Sequence, residues 1–374
     1  MKLKWENFIG WLSLPFTLGV LIGLAILGKI CIPSWARLTI CAATLPVIIL
    51  WTMASRPGGF RWRTAGQGFL LGISCALLHS MLPSLDLEGW LERLAAGCCS
   101  RLKDLIASLD LAHSESAALL TALLTGDRSG LSRELVQTFR TGGASHILAL
   151  SGLHLGIICI VISKSLSLLG RSPAARYVRA FTTVVLCWFY CLMTGAGPSL
   201  VRALLFVCIG ELAGLNARRR VNGVRTLLCA LMIQLAIRPE SALQAGFQLS
   251  YLATTGIALC FPVLRNLFPV LRNLFPVLRG LYAARPLKRV WDMAALTLSC
   301  QIFTAPWCYV LFRTLPRHFL LTNLIAIPLT TLAVGTGVIA LTLSAIGLCP
   351  HFLVLTLDAL LNALLSAMAI IARM

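Results

Sequence analysis

Long apolar runs, separated by short connections rich in arginine, follow one another along most of the chain. Many runs approach twenty residues, the length that an α-helix needs to cross the hydrocarbon of a bilayer. Backbone groups cannot be hydrated there, so each run is expected to be a helix. The pattern predicts an all-α, polytopic transmembrane helical bundle with about eleven spans. The predicted spans are Ile9–Leu27, Leu38–Ala54, Gly66–Leu82, Ser145–Leu169, Val178–Thr194, Ser199–Leu215, Val224–Ile237, Leu243–Leu264, Val290–Leu311, Phe319–Ile346 and Phe352–Ile371.

Two of these runs depart from the usual length. Val224–Ile237 is short for a span, whereas Phe319–Ile346 is long and contains Pro328. A proline inside a helix removes a backbone hydrogen bond and kinks or breaks it. We therefore expect Phe319–Ile346 to be kinked or re-entrant.

The long connection 83–144 differs from the other connections. It contains eight acidic and six basic residues, and apolar residues recur at three- and four-residue spacing in Leu87–Leu109 and Ser116–Leu124. That spacing predicts amphipathic helices lying on the membrane surface or on the bundle. We expect three regions: N-terminal transmembrane helices in 1–82, an extracytoplasmic helical segment in 83–144, and a larger transmembrane domain in 145–374.

A heptad is repeated between Phe261 and Leu281, as FPVLRNL, FPVLRNL and FPVLRGL. A proline every seven residues argues against a clean long helix. We interpret the repeat as a duplication tolerated in a cytoplasmic loop. The alternative is a basic strip that lies along the membrane interface near a pore exit.

Composition and charge exclude a soluble protein. Of 374 residues, 58% are hydrophobic and only 12% are charged, and the mean hydropathy is +0.86. The formal charge is +19. With the N-terminus in the cytoplasm, the inner side holds 18 basic residues and the short outer loops hold five. This asymmetry follows the positive-inside rule, places the C-terminus outside the cytoplasm, and explains much of the charge. Glu211 and Asp292, each near a span end, are both expected to pair with a nearby cytoplasmic arginine.

The sequence carries no motif for a metal or a nucleotide. It contains no CxxC pair and no HExxH pattern. A near-match to a phosphate-binding loop, Gly23–Ile30, lacks the final Ser or Thr and lies in an apolar span. We expect no metal site, no cofactor and no enzymatic activity.

Polar residues enter the predicted spans at three places, the first within Gly126–Gly156. A Gly-Gly break there precedes an apolar stretch with His146, Ser151 and His154. Ser151 and His154, three residues apart, share a helix face. Ionisable residues in membrane helices usually serve a path or a site, which favours function over helix packing alone.

The second place is a glycine-rich turn that leads into a helix. Gly195 and Gly197 permit a sharp turn, Pro198 and Ser199 suit a first helical turn, and Arg202 follows one turn later. Free N–H groups at a helix start, together with a cation, can bind an anion. The alternative, that the arginine side chain reaches to the outer surface, is equally open.

The third place is a polar stripe around Gln248, Ser250 and Tyr251. Gln244, Gln248 and Tyr251 recur at helical spacing. Such a stripe indicates either a wet lining or hydrogen bonds between helices.

Taken together and in this order, the strings GDRSGLS…SHILALSGLH, GAGPSLVRA and FQLSYLATTGI resemble motifs of the ComEC family of competence proteins, and Asn323–Pro328 resembles a fourth. The resemblance covers roughly 119–374. It implies a channel domain that carries single-stranded DNA across the bacterial inner membrane in natural transformation. The residues on the implied DNA path are His146, Ser151, His154, Arg202, Gln248, Ser250 and Tyr251.

The resemblance also implies partners. They are single-stranded DNA, membrane lipid, a cytosolic DNA translocase, and separate nuclease or DNA-receptor proteins; a homo-oligomer is compatible with it. Family members usually carry an OB-like barrel and often a metallo-β-lactamase-like domain. We expect a channel-only form without the nuclease domain. Two alternatives stay open: a proton-coupled small-anion transporter and a reduced, non-functional remnant of the channel.

Overall fold

The regular structure of the described residues is entirely helical, which confirms the predicted fold class. The computed structural model describes residues 2–29, 33–53, 60–81, 89–170, 172–215, 222–274, 285–313 and 318–374. Short 3₁₀ turns lie at Leu166–Leu169 and Pro239–Leu243. The helices are α1 (Lys2–Lys29), α2 (Ser34–Met53), α3 (Phe60–His79), α4 (Trp90–Ala107), α5 (Ser114–Thr125), α6 (Arg133–Thr141), α7 (Ser145–Leu148), α8 (Gly152–Ser165), α9 (Pro173–Met193), α10 (Pro198–Leu215), α11 (Gly223–Ile237), α12 (Ala245–Leu274), α13 (Arg285–Phe312), α14 (Phe319–Ala345) and α15 (His351–Arg373).

Helices of membrane-spanning length and hydropathy recur through the described chain. Seven meet both criteria, and three shorter apolar helices lie in α2, α3 and α11. Helix α9 has 21 residues and coincides with the remaining predicted span. Each predicted span thus coincides wholly or largely with helical residues, and the chain is a multi-pass membrane protein. The seven helices that meet both the length and the hydropathy criterion are Ile9–Lys29, Gly152–Leu169, Pro198–Leu215, Ala245–Leu267, Lys288–Phe312, Phe319–Ala345 and His351–Arg373.

Two local expectations are wrong, and one of the two alternatives for a third is excluded. Ser145–Leu169 is not one helix, because α7 ends at Leu148 and α8 starts at Gly152. Phe319–Ala345 is one helix that continues through Pro328, which excludes the re-entrant alternative, and the kink stays a prediction. The first two of the three repeated heptads, which end at Leu274, lie inside the continuous helix α12, so their prolines do not interrupt it. Prolines seven residues apart are separated by almost two turns, and the hydrogen bonds of those turns keep the helix intact.

The chain divides into two compact units, and the first comprises residues 1–87 and 216–251. Helices α1 and α3 make the main contact of this unit. They run parallel, because a single helix, α2, lies between them in the chain. A Cβ on Gly19 would overlap the carbonyl oxygen of Phe69, and a Cβ on Gly72 would overlap that of Phe16. Only glycine permits backbones to approach so closely in a membrane bundle.

The second unit comprises residues 88–215 and 252–374. Helix α5 lies in its core, where Leu119, Leu120 and Leu123 are fully buried and contact α14 and α15. The hydroxyl of Tyr190 on α9 donates to the carbonyl of Leu124, at the end of α5. The predicted amphipathic segment therefore supplies a central helix of this unit; its location outside the membrane stays a prediction. Asp292 accepts from Arg265 Nε at 3.2 Å, which confirms the expected pair.

Candidate functional site

A helix break at Ala149–Ser151 is the centre of the candidate site, and the loop after α5 holds it. Gly126 ends α5 with φ of 78°, and a Cβ there would lie 2.8 Å from Leu150 Cδ1. Two residues later, Arg128 Nε donates to the carbonyl of Leu148 at 2.9 Å. This carbonyl has no following helical turn, so the guanidinium supplies the missing donor. Residues of the GDRSGLS and SHILALSGLH strings therefore contact each other at the break between α7 and α8.

The same loop is tied to α4 by an ion pair. Lys103 Nζ donates to Asp127 Oδ2 at 2.5 Å, and the Ser129 N–H donates to Asp127 Oδ1 at 2.9 Å. The hydrogen bond from Lys103 holds the pKa of the Asp127 carboxyl well below its ordinary range, and the bonds from Ser129 act in the same direction. The loop therefore keeps one conformation over the ordinary pH range.

Helix α8 begins with a reciprocal cap made by two predicted site residues. Ser151 Oγ accepts from the Leu153 N–H, and His154 Nδ1 accepts from the Ser151 N–H at 3.2 Å. Because Nδ1 accepts this bond, we assign the ring proton to Nε2. His154 is only 1% exposed, and its Nε2 has no hydrogen-bond partner among the described residues. The cap thus holds an unused N–H donor inside the bundle.

Arg202 on α10 lies beside this helix start. It is 9% exposed, its Nη1 donates to Thr254 Oγ1 at 2.5 Å, and its Cζ is 5.7 Å from the centre of the Phe206 ring. A Cβ on Gly152 would lie 3.3 Å from Arg202 Nη2. The arginine therefore bonds within the bundle, contrary to the alternative in which it reaches the outer surface.

The arrangement is electropositive. The N-terminus of α8, the Arg202 guanidinium and the ring N–H of His154 all present positive charge or hydrogen-bond donors. The guanidinium of Arg202 and the ring of His154 are buried, so water screens them weakly. We call Ser151, His154, Arg202 and Thr254 the polar seam. Its donors can hold an anion, and within it Ser151 Oγ lies 3.1 Å from His154 Nδ1.

The glycine turn before α10 forms as the sequence predicts. Gly195 and Ala196 have φ of 80° and 47°, and α10 begins at Pro198. The N–H groups of Leu200 and Val201 both donate to the Gly197 carbonyl, which directs them away from a ligand. The turn sets the start of the helix that carries Arg202. An anion-binding role for Gly195, Gly197, Pro198 and Ser199 stays a prediction.

Gln248, Ser250 and Tyr251 belong to the first unit. Gln248 Nε2 donates to the Ala242 carbonyl at 2.9 Å, and Tyr251 Oη donates to Gln234 Oε1 at 2.9 Å. These bonds are of the kind that the interhelix alternative predicts. A place for these residues on a DNA path stays a prediction.

Sequence reasoning missed three residues that matter here, and it left the place of His146 open. Thr254 lies three residues, less than one helical turn, beyond Tyr251. Arg128 lies in the GDRSGLS string but was given no role, and Asp358 was not considered. An acid within an apolar run, as at Asp358, is a signal that could have been used. His146 lies on α7, before the break, and its role stays a prediction.

The helices and the buried seam define a polytopic membrane protein with an electropositive interior site. The profile of the family described as Competence protein matches residues 123–374. The chain therefore belongs to the competence protein family. No solved structure matches it significantly.

Two curated proteins are similar over part of the chain. ComE operon protein 3 of Bacillus subtilis (strain 168) is 29% identical over 155 residues, which are 41% of this chain and 19% of that protein. Competence protein ComA of Neisseria gonorrhoeae is 29% identical over 152 residues, 39% of this chain and 21% of that protein. The chain thus matches only a small part of either relative.

Proposed function

We propose that this protein is a channel for single-stranded DNA across the bacterial inner membrane in natural transformation. The observation that carries the proposal is the polar seam, in which a buried arginine lies beside the first residue of a spanning helix whose first turn also carries the buried His154. The competence family and the names of both relatives support the biological role.

The physical argument starts from the charge of the cargo. An isolated phosphate in hydrocarbon has a prohibitive desolvation cost, so a strand must pass donors and cations that replace its water. The seam offers both, with Phe206 beside the guanidinium. Proteins that hold single strands combine cations with aromatic rings in this way. A fixed, buried donor is more effective than a flexible one at the surface because its orientation is already set.

Orientation and partners are part of the proposal. The charge asymmetry places the N-terminus in the cytoplasm and the C-terminus outside. Because the sequence carries no nucleotide-binding motif, we propose that a separate cytosolic translocase pulls the strand, and that separate receptor or nuclease proteins act before entry.

Transformation frequency tests the seam. His154→Ala and Arg202→Ala should each lower the frequency at least tenfold while the amount of protein in the membrane is unchanged. Arg202→Lys should retain more activity than Arg202→Ala because it keeps the charge.

Two matched substitutions serve as controls. His351→Ala and Arg373→Ala remove the same residue types at exposed positions of α15. Both should transform normally. Wild-type frequency in both seam variants, at equal expression, would refute the proposal. Uptake of inorganic phosphate by proteoliposomes, lost in the same two variants, would instead favour the small-anion transporter.

A further inference from the structure

Helix α15 carries one acidic residue, Asp358, within an otherwise apolar span. The Asp358 side chain is 12% exposed. Its Oδ1 is buried and has no hydrogen-bond partner among the described residues. A buried carboxylate oxygen without a donor is costly, and acids in spanning helices usually have a function. Neither the proposed channel nor the seam uses this residue.

The other carboxylate oxygen belongs to a polar cluster that joins α15 to the start of α5. Asn362 Nδ2 lies 3.1 Å from Asp358 Oδ2 and 3.2 Å from His113 Nδ1, so the amide can donate to both. Ser116, fully buried, points its hydroxyl at Asn362 Oδ1 across 3.4 Å, and that contact fixes the orientation of the amide. His113 Nδ1 is 3.6 Å from Asp358 Oδ2.

The surroundings supply no competing charge. Helix α14, the main neighbour of α15, contains no ionisable residue. On α6, Glu134 lies beside Ala369 and Arg373, eleven residues or more from Asp358, which is roughly 16 Å along a helix. Glu115 on α5 is exposed. His113 is therefore the ionisable group that faces Asp358 within the part of the chain that the structure describes.

The cluster can take two arrangements that differ by one proton. With a neutral ring, His113 Nδ1 accepts from Asn362, as the distances show. With a protonated ring, Nδ1–H donates to Asp358 Oδ2. If the proton binds the carboxyl group of Asp358 rather than the ring, the negative charge is lost. Burial of Oδ1, which has no hydrogen-bond donor among the described residues, then costs less free energy. The ring is the exposed end of the cluster, since 63% of the His113 side chain is exposed.

We propose that His113, Asp358 and Asn362 form a proton-binding site that connects an exposed imidazole to a buried carboxyl group of the last spanning helix. Proton uptake there changes the bonds between α15 and the start of α5, the most buried helix of its unit. The site stands independently of the DNA channel.

Labelling with dicyclohexylcarbodiimide tests the site without DNA. A protonated carboxyl group adds across a C=N bond of this apolar reagent. The adduct then rearranges to a stable N-acylurea without loss of an atom. Membranes containing the whole protein are treated between about pH 5 and 8, the range over which histidine changes charge. Mass spectrometry of peptides should find the reagent on Asp358, with less label as the pH rises.

Variants separate the proposal from a merely structural cluster. Asp358→Asn should remove the label from α15. His113→Ala and His113→Gln should both change the pH profile of the label, because the ring that shares Asn362 with the carboxyl group is gone. Thr356→Ala, at an exposed position of the same helix, should leave the pH profile unchanged. No label on Asp358 at any pH, or the same profile in both His113 variants as in the wild type, would overturn the proposal.

Discussion

The two units differ in what their helices bury. In the first unit, the buried polar side chains of the described residues are neutral hydroxyls and one amide, and glycines allow α1 and α3 to approach closely. In the second unit, the described core also buries His154, Arg202 and Asp358. One unit is thus held by backbone proximity, whereas the other accepts the cost of buried charge.

This difference indicates where chemistry resides. Close glycine packing is a stable solution that needs no polar group. Buried ionisable groups oppose folding in a membrane, so they persist where they bind or transfer something. We therefore expect substitutions in the first unit to affect folding and those in the seam to affect transport. The next three predictions are ordered by the expected size of their effect.

The largest effect is expected at Gly72. A methyl group there would overlap the Phe16 carbonyl, and backbone cannot move aside as a side chain can. Gly72→Ala should cost more than about 3 kcal/mol and remove most folded protein. The measurement is the monodisperse fraction in detergent. Gly10→Ala, on α1, has no atom within 4 Å and should behave as wild type; equal losses in both variants would contradict the packing account.

A smaller effect is expected at Gly126. Its positive φ disfavours any side chain, and a Cβ would press on Leu150. Gly126→Ala should lower the free energy of unfolding by about 1–2 kcal/mol. Gly156→Ala, inside α8 with open space around it, should raise it by up to about 1 kcal/mol through helix propensity. Thermal midpoints of the two variants should therefore move in opposite directions, and movement in the same direction would argue against the role of the break.

The smallest effect is expected for the Lys103–Asp127 pair, which is partly exposed. The pKa of Asp127 is lowered in the folded protein, so its contribution is present above the unfolded pKa of about 4 and is lost as the pH falls. Lys103→Met should lower the thermal midpoint slightly at neutral pH, and the difference from wild type should shrink in acid. Lys164→Met, at an exposed position, should show no such pH dependence. A deficit that grows in acid would have the wrong sign.

The spans could be predicted from the sequence, because high hydropathy over about twenty residues is a strong signal for a membrane-spanning helix. It also singled out Ser151, His154 and Arg202, which the structure brings together. It could not supply their partner Thr254, nor the contact of Gly126 with Leu150, since both depend on how helices pack. For Pro328 the sequence left both a kinked helix and a re-entrant segment open, because neighbouring turns and tertiary packing decide whether a proline ends a helix.

The most direct test of the polar seam is photocrosslinking to DNA in transit. A photoreactive amino acid replaces Thr254, the partner of Arg202, or Leu259, an exposed residue five positions further along α12. Competent cells receive radiolabelled DNA and are illuminated during uptake. The account predicts crosslinks to the entering strand at position 254 and none at 259. Equal crosslinking at both positions, or none at 254 while transformation proceeds, would contradict it.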